Sequence, residues 1–186
     1  MQWQTPGEEN TKQTLELAVQ RAQQLGIDHI VIASCTGATA RELHSIANTM
    51  KIVCVTHHQG FKDPGTNEMD DQTRQDLEKA GITVLTTTHL LAGVDRGVRN
   101  QFGGVYPAEI IAQTLRMFGQ GVKVAVEISV MALDAGLIPY NKEIVAIAGT
   151  VRGADAAIVV KPAHANHFFD TEIREIICMP GNKKKA

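Results

Sequence analysis

Ile30-Val31-Ile32-Ala33-Ser34-Cys35-Thr36-Gly37-Ala38-Thr39-Ala40-Arg41 decides how the chain is read: an apolar run suited to a buried strand enters a turn of hydroxyls and one glycine, and a helical pattern opens behind it. A strand that passes through a short turn into a helix is the opening unit of an α/β fold. The same junction predicts an anion site. A helix N-terminus leaves backbone N–H groups unpaired and carries a partial positive charge, so a phosphate placed at Ala38 is held with little further help. Ser34, Thr36 and Thr39 add hydroxyl donors, and Gly37 lets the main chain come close to the anion. The alternative is that Ser34 or Thr36 is a plain N-cap, which needs no ligand.

Outward from this junction the alternation continues. Upstream, Leu15, Ala18, Val19, Ala22 and Leu25 recur at a helical period over Thr11–Leu25, and Gly26 ends the helix. Downstream, strands are predicted at 30–34, 52–56 and 82–86 and helices at 37–48 and 70–80, which implies a parallel sheet with helices on both faces. Two polar, glycine-bearing segments, 57–69 and 87–104, exceed the usual length of a connection and read as ligand-covering loops. Helices follow at 107–118 and 122–135, the second stopped by Pro139. Strands 144–148 and 156–161 are joined by too few residues for a parallel crossover, which makes them an antiparallel hairpin. A last strand at 172–178 is expected on an edge.

Composition narrows the function classes. The 186 residues are expected to form one domain, 1–186, and 18 Lys and Arg against 20 Asp and Glu give a net charge of -2, no basis for nucleic acid or an anionic membrane as partner. Lys183, Lys184 and Lys185 read as a solvated tail. The longest apolar run, 122–139, is broken by Lys123, Glu127 and Asp134, and residues 1–4 have no signal-peptide pattern, so a cytoplasmic protein is expected. Cys35, Cys54 and Cys178 are odd in number and scattered, as reduced thiols are.

Several side chains invite a chemical reading. Cys35, inside the proposed phosphate turn, is either a thiolate favoured by the helix N-terminus or a small packed group. His57 follows the second strand at the edge where open α/β sheets bind ligands, with Gly60 in the loop expected to close over the site. Thr87 and His89, after the third strand, share that edge. Arg152 and Gly153 lie in Ala148-Gly149-Thr150-Val151-Arg152-Gly153-Ala154-Asp155, where an arginine beside a flexible turn can reach a phosphate from the opposite side. Gly103 and Gly104, beside Phe102 and Tyr106, either let backbone approach a flat ring or merely turn the chain before Pro107. Glu127, in a helix apolar nearly all round, needs a partner: an arginine such as Arg96, Arg99 or Arg152, or ligand hydroxyls in the cleft. His164, His167 and Asp170 have metal-like spacing, but Asn166 and the Phe168-Phe169 pair suit a packed turn, and no metal is expected.

The leading helix, the Ser-x-Thr-Gly-x-Thr-Ala-Arg turn at 34–41 and the Thr-Gly-rich hairpin loop at 148–155 together resemble the C-terminal effector domain of pyruvate kinase, where two such loops grip a sugar bisphosphate. The chain is more closely similar to stand-alone prokaryotic proteins that have this domain without the catalytic barrel. The resemblance is carried by Phe102-Gly103-Gly104-Val105-Tyr106-Pro107-Ala108-Glu109-Ile110-Ile111, Phe118-Gly119-Gln120-Gly121-Val122-Lys123-Val124 and Val160-Lys161-Pro162-Ala163-His164. It implies a three-layer α/β/α sandwich, mostly parallel with an antiparallel C-terminal hairpin, and flavin mononucleotide (FMN) or a similar phosphorylated ligand in the cleft, with Ser34 through Thr39, His57, Gly60, Thr87, His89, Gly103, Gly104, Thr150, Arg152 and Gly153 around it. It also implies that the kinase reaction itself is absent. Three functions then stand: a binding protein with sensing or carrier duties, a flavin-dependent oxidoreductase, and a self-associating homo-oligomeric module without ligand.

Overall fold

In the computed structural model, which describes residues 1–182, the chain runs β1 (Gln2–Trp3), α1 (Thr11–Leu25), β2 (His29–Ala33), α2 (Ala38–Ile46), β3 (Lys51–Val55), α3 (Asp71–Lys79), β4 (Thr83–Leu85), α4 (Gly93–Phe102), α5 (Pro107–Leu115), α6 (Gln120–Asp134), β5 (Ile144–Ala148), β6 (Ala156–Lys161) and β7 (Glu172–Pro180). Lys183, Lys184 and Lys185, the expected tail, lie outside the described residues.

The strands form one seven-stranded sheet in the order β1-β7-β6-β5-β2-β3-β4. β2 lies parallel to β3 and β5, β3 to β4 and β1 to β7, while β5–β6 and β6–β7 are antiparallel. Because successive side chains of a strand point to opposite faces, β2 and β5 feed two separate cores. Ile30, Ile32, Val145 and Ile147 pack under α1, α2 and α3 with Leu15, Leu43 and Leu77. Val31, Ala146 and Ala148 pack on the other face under α6, with Val122, Val126 and Ile128. The result is a three-layer α/β/α arrangement with the predicted hairpin at its C-terminal side. No helix among the described residues is long and apolar enough to cross a membrane.

The N-terminal residues close one side of the sheet. Gln2 and Trp3 pair with Met179 and Pro180, and buried Trp3 donates its indole N–H to Asp155 O at 2.8 Å. The expected edge strand 172–178 is therefore longer, Glu172–Pro180, and β1 covers its far end.

Segment 87–104, expected to be a ligand-covering loop, is largely helical, at Gly93–Phe102. Gly93 and Gly97 lower the local helix propensity, and although Val94, Val98 and Phe102 recur every four residues along one face, no residue of α4 is buried. Phe102, beside the glycines, is 77% exposed and so packs in no core, and Val94, Val105 and Ile110 are exposed too.

The topology positions the site. β2 sends its connection to the α1–α2 side, whereas α6 enters β5 from the opposite face, and the two strands are neighbours. Where connections diverge in this way, a crevice opens outside the carboxyl ends of the strands.

Candidate functional site

Three strand ends meet at this edge. Ser34 N–H donates to Val55 O at 3.0 Å and Thr56 N–H to Leu85 O at 2.9 Å. The hydroxyls of Thr56 and Thr86 are 2.6 Å apart. The strands stop one residue before each hydroxyl, so Ser34, Thr56 and Thr86 begin the turns rather than end the ladders.

The turn after β2 is not a side-chain cap. Gly37 is the N-cap of α2, left-handed at φ 82°, and no side chain bonds the first-turn amides. Ser34 and Thr39 are buried, while Thr36 and Ala38 are open to solvent. The capping alternative for Ser34 or Thr36 is thereby overturned. Gly37 also serves packing, because a Cβ there would meet Thr73 Cγ2 at 2.7 Å and Leu77 Cδ1 at 3.1 Å. Its replacement would push α2 and α3 apart, so it is no clean probe of ligand binding.

Behind the turn, between the sheet and α6, lies a cavity of about 130 Å³. Ala33, Val55, Val124, Ile128 and Met131 make its apolar side. Cys35, His57, Phe61 and His89 border it toward the strand ends. Arg96, Arg116, Gln120, Lys123 and Glu127 supply its polar side.

Glu127 is paired with Lys123, one helical turn earlier, and not with an arginine. It also accepts the Leu91 N–H at 2.7 Å, which ties α6 to the segment before α4. Both charged side chains are buried, and burial pushes the Lys123 ammonium below its ordinary range even against the attraction of Glu127. Arg99, one of the expected partners, instead pairs with Glu109 at 2.6 Å.

His57, His58, Phe61 and His89 form a ring cluster. His57 stacks on Phe61 with centroids 3.7 Å apart, and His89 lies 5.4 Å from His57 and 5.3 Å from His58. Burial, reinforced by the charges of His57, His58 and Lys123, brings His89 down to about 4 despite Glu127, so the imidazole is neutral at pH 7. His57 Nδ1 bonds the Glu68 carboxylate, whose other oxygen takes Lys62 Nζ at 2.7 Å. Burial raises the Glu68 carboxyl, but these two hydrogen bonds outweigh it and hold the group below its ordinary range.

Cys35 does not have the lowered pKa that a helix N-terminus predicts. Burial pushes the thiol up to about 11, and the nearby Glu68 charge adds to the rise. Cys35 Sγ, a ring nitrogen of His57 and a Glu68 oxygen lie within 4.8 Å of one another, a donor set of the kind divalent zinc takes, in which Lys62 competes for the carboxylate. The pattern His164, His167 and Asp170 does not converge: His164 bonds Asp134 at 2.8 Å, while His167 faces Asp170 at 3.6 Å.

The structure thus brings Cys35, His57 and His89 to one cavity beside the turn of Ser34, Thr36, Gly37, Ala38 and Thr39. The other expected residues lie outside the cavity wall. Gly60 N–H closes its own loop on Thr66 O at 2.7 Å. Thr87 is exposed, as are Gly103 and Gly104, which shape the α4–α5 turn with the Tyr106 hydroxyl on Gly103 O at 3.0 Å. In the hairpin, Thr150 N–H donates to Asp155 at 3.2 Å and Gly153 sits so tightly that a Cβ would fall 2.2 Å from Thr11 Oγ1. Arg152 is exposed and pairs with no carboxylate among the described residues. Sequence reasoning missed Arg116, Gln120 and Lys123 as site residues. For two of them the signal was legible: Gln120, Lys123 and Glu127 fall on one face of α6, while Arg116 lies in the turn before it.

The family model for the pyruvate kinase alpha/beta domain matches residues 12–160. Among solved structures, a pyruvate kinase from Cryptosporidium parvum is 14% identical with a TM-score of 0.42, the match covering 80% of this chain and 22% of that one. Cryptosporidium parvum pyruvate kinase in complex with ADP gives the same identity and coverage with a TM-score of 0.41. The chain therefore spans about a fifth of the length of these enzymes.

Proposed function

The chain belongs to the pyruvate kinase alpha/beta domain family, and we propose that it binds a phosphorylated small molecule, with the phosphate on the turn 34–39 and the remainder directed past Cys35 and His57 toward the cavity. FMN is the ligand that the sequence resemblance implies. In this reading the protein is a sensor or carrier.

The observation that carries it is the uncapped start of α2. No side chain satisfies the first-turn amides, Gly37 leaves them open, and Ala38 and Thr36 face solvent. An anion there meets several donors and the positive end of the helix at once. Arg152 is the hairpin's remaining contribution, a charged fork with no carboxylate partner among the described residues.

The phosphate end of FMN fits these residues. The ring needs more room, because about 130 Å³ is below the roughly 300–1,000 Å³ of ordinary ligand pockets. Flavin binding therefore requires Phe61 to leave His57, which presents the imidazoles of His57 and His89 as stacking faces.

Comparing FMN with riboflavin isolates the phosphate. A hydrogen bond to a charged group contributes about 1.5–3 kcal/mol, so FMN should bind roughly ten- to hundredfold tighter. Equal affinities overturn the reading. Ala38→Glu, at an exposed first-turn position, should erase the preference by repulsion.

A further inference from the structure

The cavity has a chemistry of its own that the phosphate turn does not use. Three cationic side chains, Arg96, Arg116 and Lys123, border it, and Glu127 is the one carboxylate in its wall. Lys123 and Glu127 satisfy each other. Arg116 donates Nε–H to Gln120 Oε1 at 2.7 Å but meets no carboxylate among the described residues, and Arg96 has no ion pair there either. Glu68, which binds the cavity-lining His57, is also occupied by Lys62. The excess positive charge lies at the rim of a space whose other side is apolar.

We propose that this cavity binds a short-chain organic carboxylate, its carboxylate held by Arg96 and Arg116 and its carbon body against Val55, Val124, Ile128 and Met131. A guanidinium matches a carboxylate through two parallel N–H donors, and the desolvated Lys123–Glu127 pair beneath adds no net charge to compete with it. Size sets the class. About 130 Å³ is close to the roughly 150 Å³ cavity that holds a benzene ring, so an acid of three or four carbons fills it. The apolar side argues against bare inorganic phosphate, which would bury its oxygens against methyl groups. The site deepens the proposed function by naming what lies at the cavity end of the cleft, yet its ligands carry no phosphate and the turn is not required.

The test is calorimetric titration of the full chain with acetate, propionate, butyrate and inorganic phosphate, with the His89 ring protons followed by NMR as a local reporter. Affinity should rise about fourfold per added methylene, with the His89 signals moving in proportion to occupancy, and phosphate should bind weakest. Arg96→Gln, at an exposed residue, and Arg116→Gln, at a half-buried one, should each weaken butyrate about tenfold at unchanged melting temperature. Butyrate that binds no tighter than acetate or phosphate, that leaves His89 unmoved, or that is indifferent to both arginine substitutions overturns the proposal. The two readings fail separately, because Ala38→Glu removes the phosphate preference of FMN while leaving the butyrate affinity intact.

Discussion

The hairpin loop between β5 and β6 and the turn between β2 and α2 occupy the same edge of the sheet and share a glycine- and threonine-rich sequence, yet their polar groups have opposite fates. In the hairpin most of them are consumed internally, with exposed Arg152 and the second Asp155 oxygen as exceptions. Asp155 accepts the Gly7 N–H at 2.9 Å and the Thr150 N–H at 3.2 Å, Ala154 N–H donates to Thr11 Oγ1 at 3.0 Å, and Trp3 donates to Asp155 O. At the turn, α2 begins without a side-chain cap, and behind it a buried ion pair faces a cavity. Similar composition therefore does not mean similar availability. One loop is welded to the N-terminal segment, and the other keeps its donors for something outside the chain.

The sharpest way to break this contrast is at the cavity floor. Removing one member of a buried pair strands the other charge, so Glu127→Ala should cost about 3–5 kcal/mol in urea denaturation. Adding Lys123→Met should restore most of that loss. A single variant as stable as wild type would mean that the pair is hydrated and the cavity wet.

In the hairpin, Asp155→Ala leaves the Gly7 and Thr150 amides unpaired and should cost about 2–3 kcal/mol, while the FMN to riboflavin ratio stays the same. A changed ratio would make the hairpin part of the ligand site. The cost is moderated because burial holds the Asp155 carboxyl above its ordinary range, a penalty that its removal relieves.

The pH response separates the two regions next. His89 is near 4 in the folded chain against 6.5 unfolded, so between these values the unfolded state binds more protons and stability falls as pH drops from 6.5 toward 4. The fall attributable to His89 is at most about 3 kcal/mol, and His89→Gln should flatten that part of the stability profile. An identical profile in the variant would place the imidazole in water.

The smallest effect on stability should come from Ala38→Glu. An acidic residue in the first turn interacts favourably with the helix dipole by about 0.3–1 kcal/mol, so this variant should melt slightly higher while losing its preference for phosphate. A lower melting temperature would indicate that the first turn is already satisfied.

The sequence was most legible where one face decides an element. Thr11–Leu25 with its Gly26 stop, and strands Ile144–Ala148 and Ala156–Lys161, fall where apolar periodicity and β-branched runs put them. Helix α4 was masked by Gly93 and Gly97 within a polar segment, although Val94, Val98 and Phe102 are spaced as one helical stripe. At the site, the turn 34–39 could be placed from sequence, since strand, turn and helix are contiguous. The cavity could not be placed, because Cys35, His57, His89 and Lys123 are joined only by folding. Lys123–Glu127 is the instructive case, for its i, i+4 spacing stands in the sequence, whereas the expected arginine partners are distant along the chain. A long side chain one turn away reaches a buried carboxylate without help from the rest of the fold.

The pairing of Trp3 with Pro180 fixes the order in which the molecule can be finished during synthesis. Chain made from the N-terminus onward can build β2, β3 and their helices early, but the sheet places β6 and β7 between β1 and β5. The first strand must wait for the last. Until the ribosome has released the residues around Pro180, β1 has no strand to pair with and the outer flank of β6 is open. A ribosome stalled shortly before that point should therefore display an unpaired strand edge to whatever chaperone is near, and truncation by a few residues at 178–180 should harm folding out of proportion to its length.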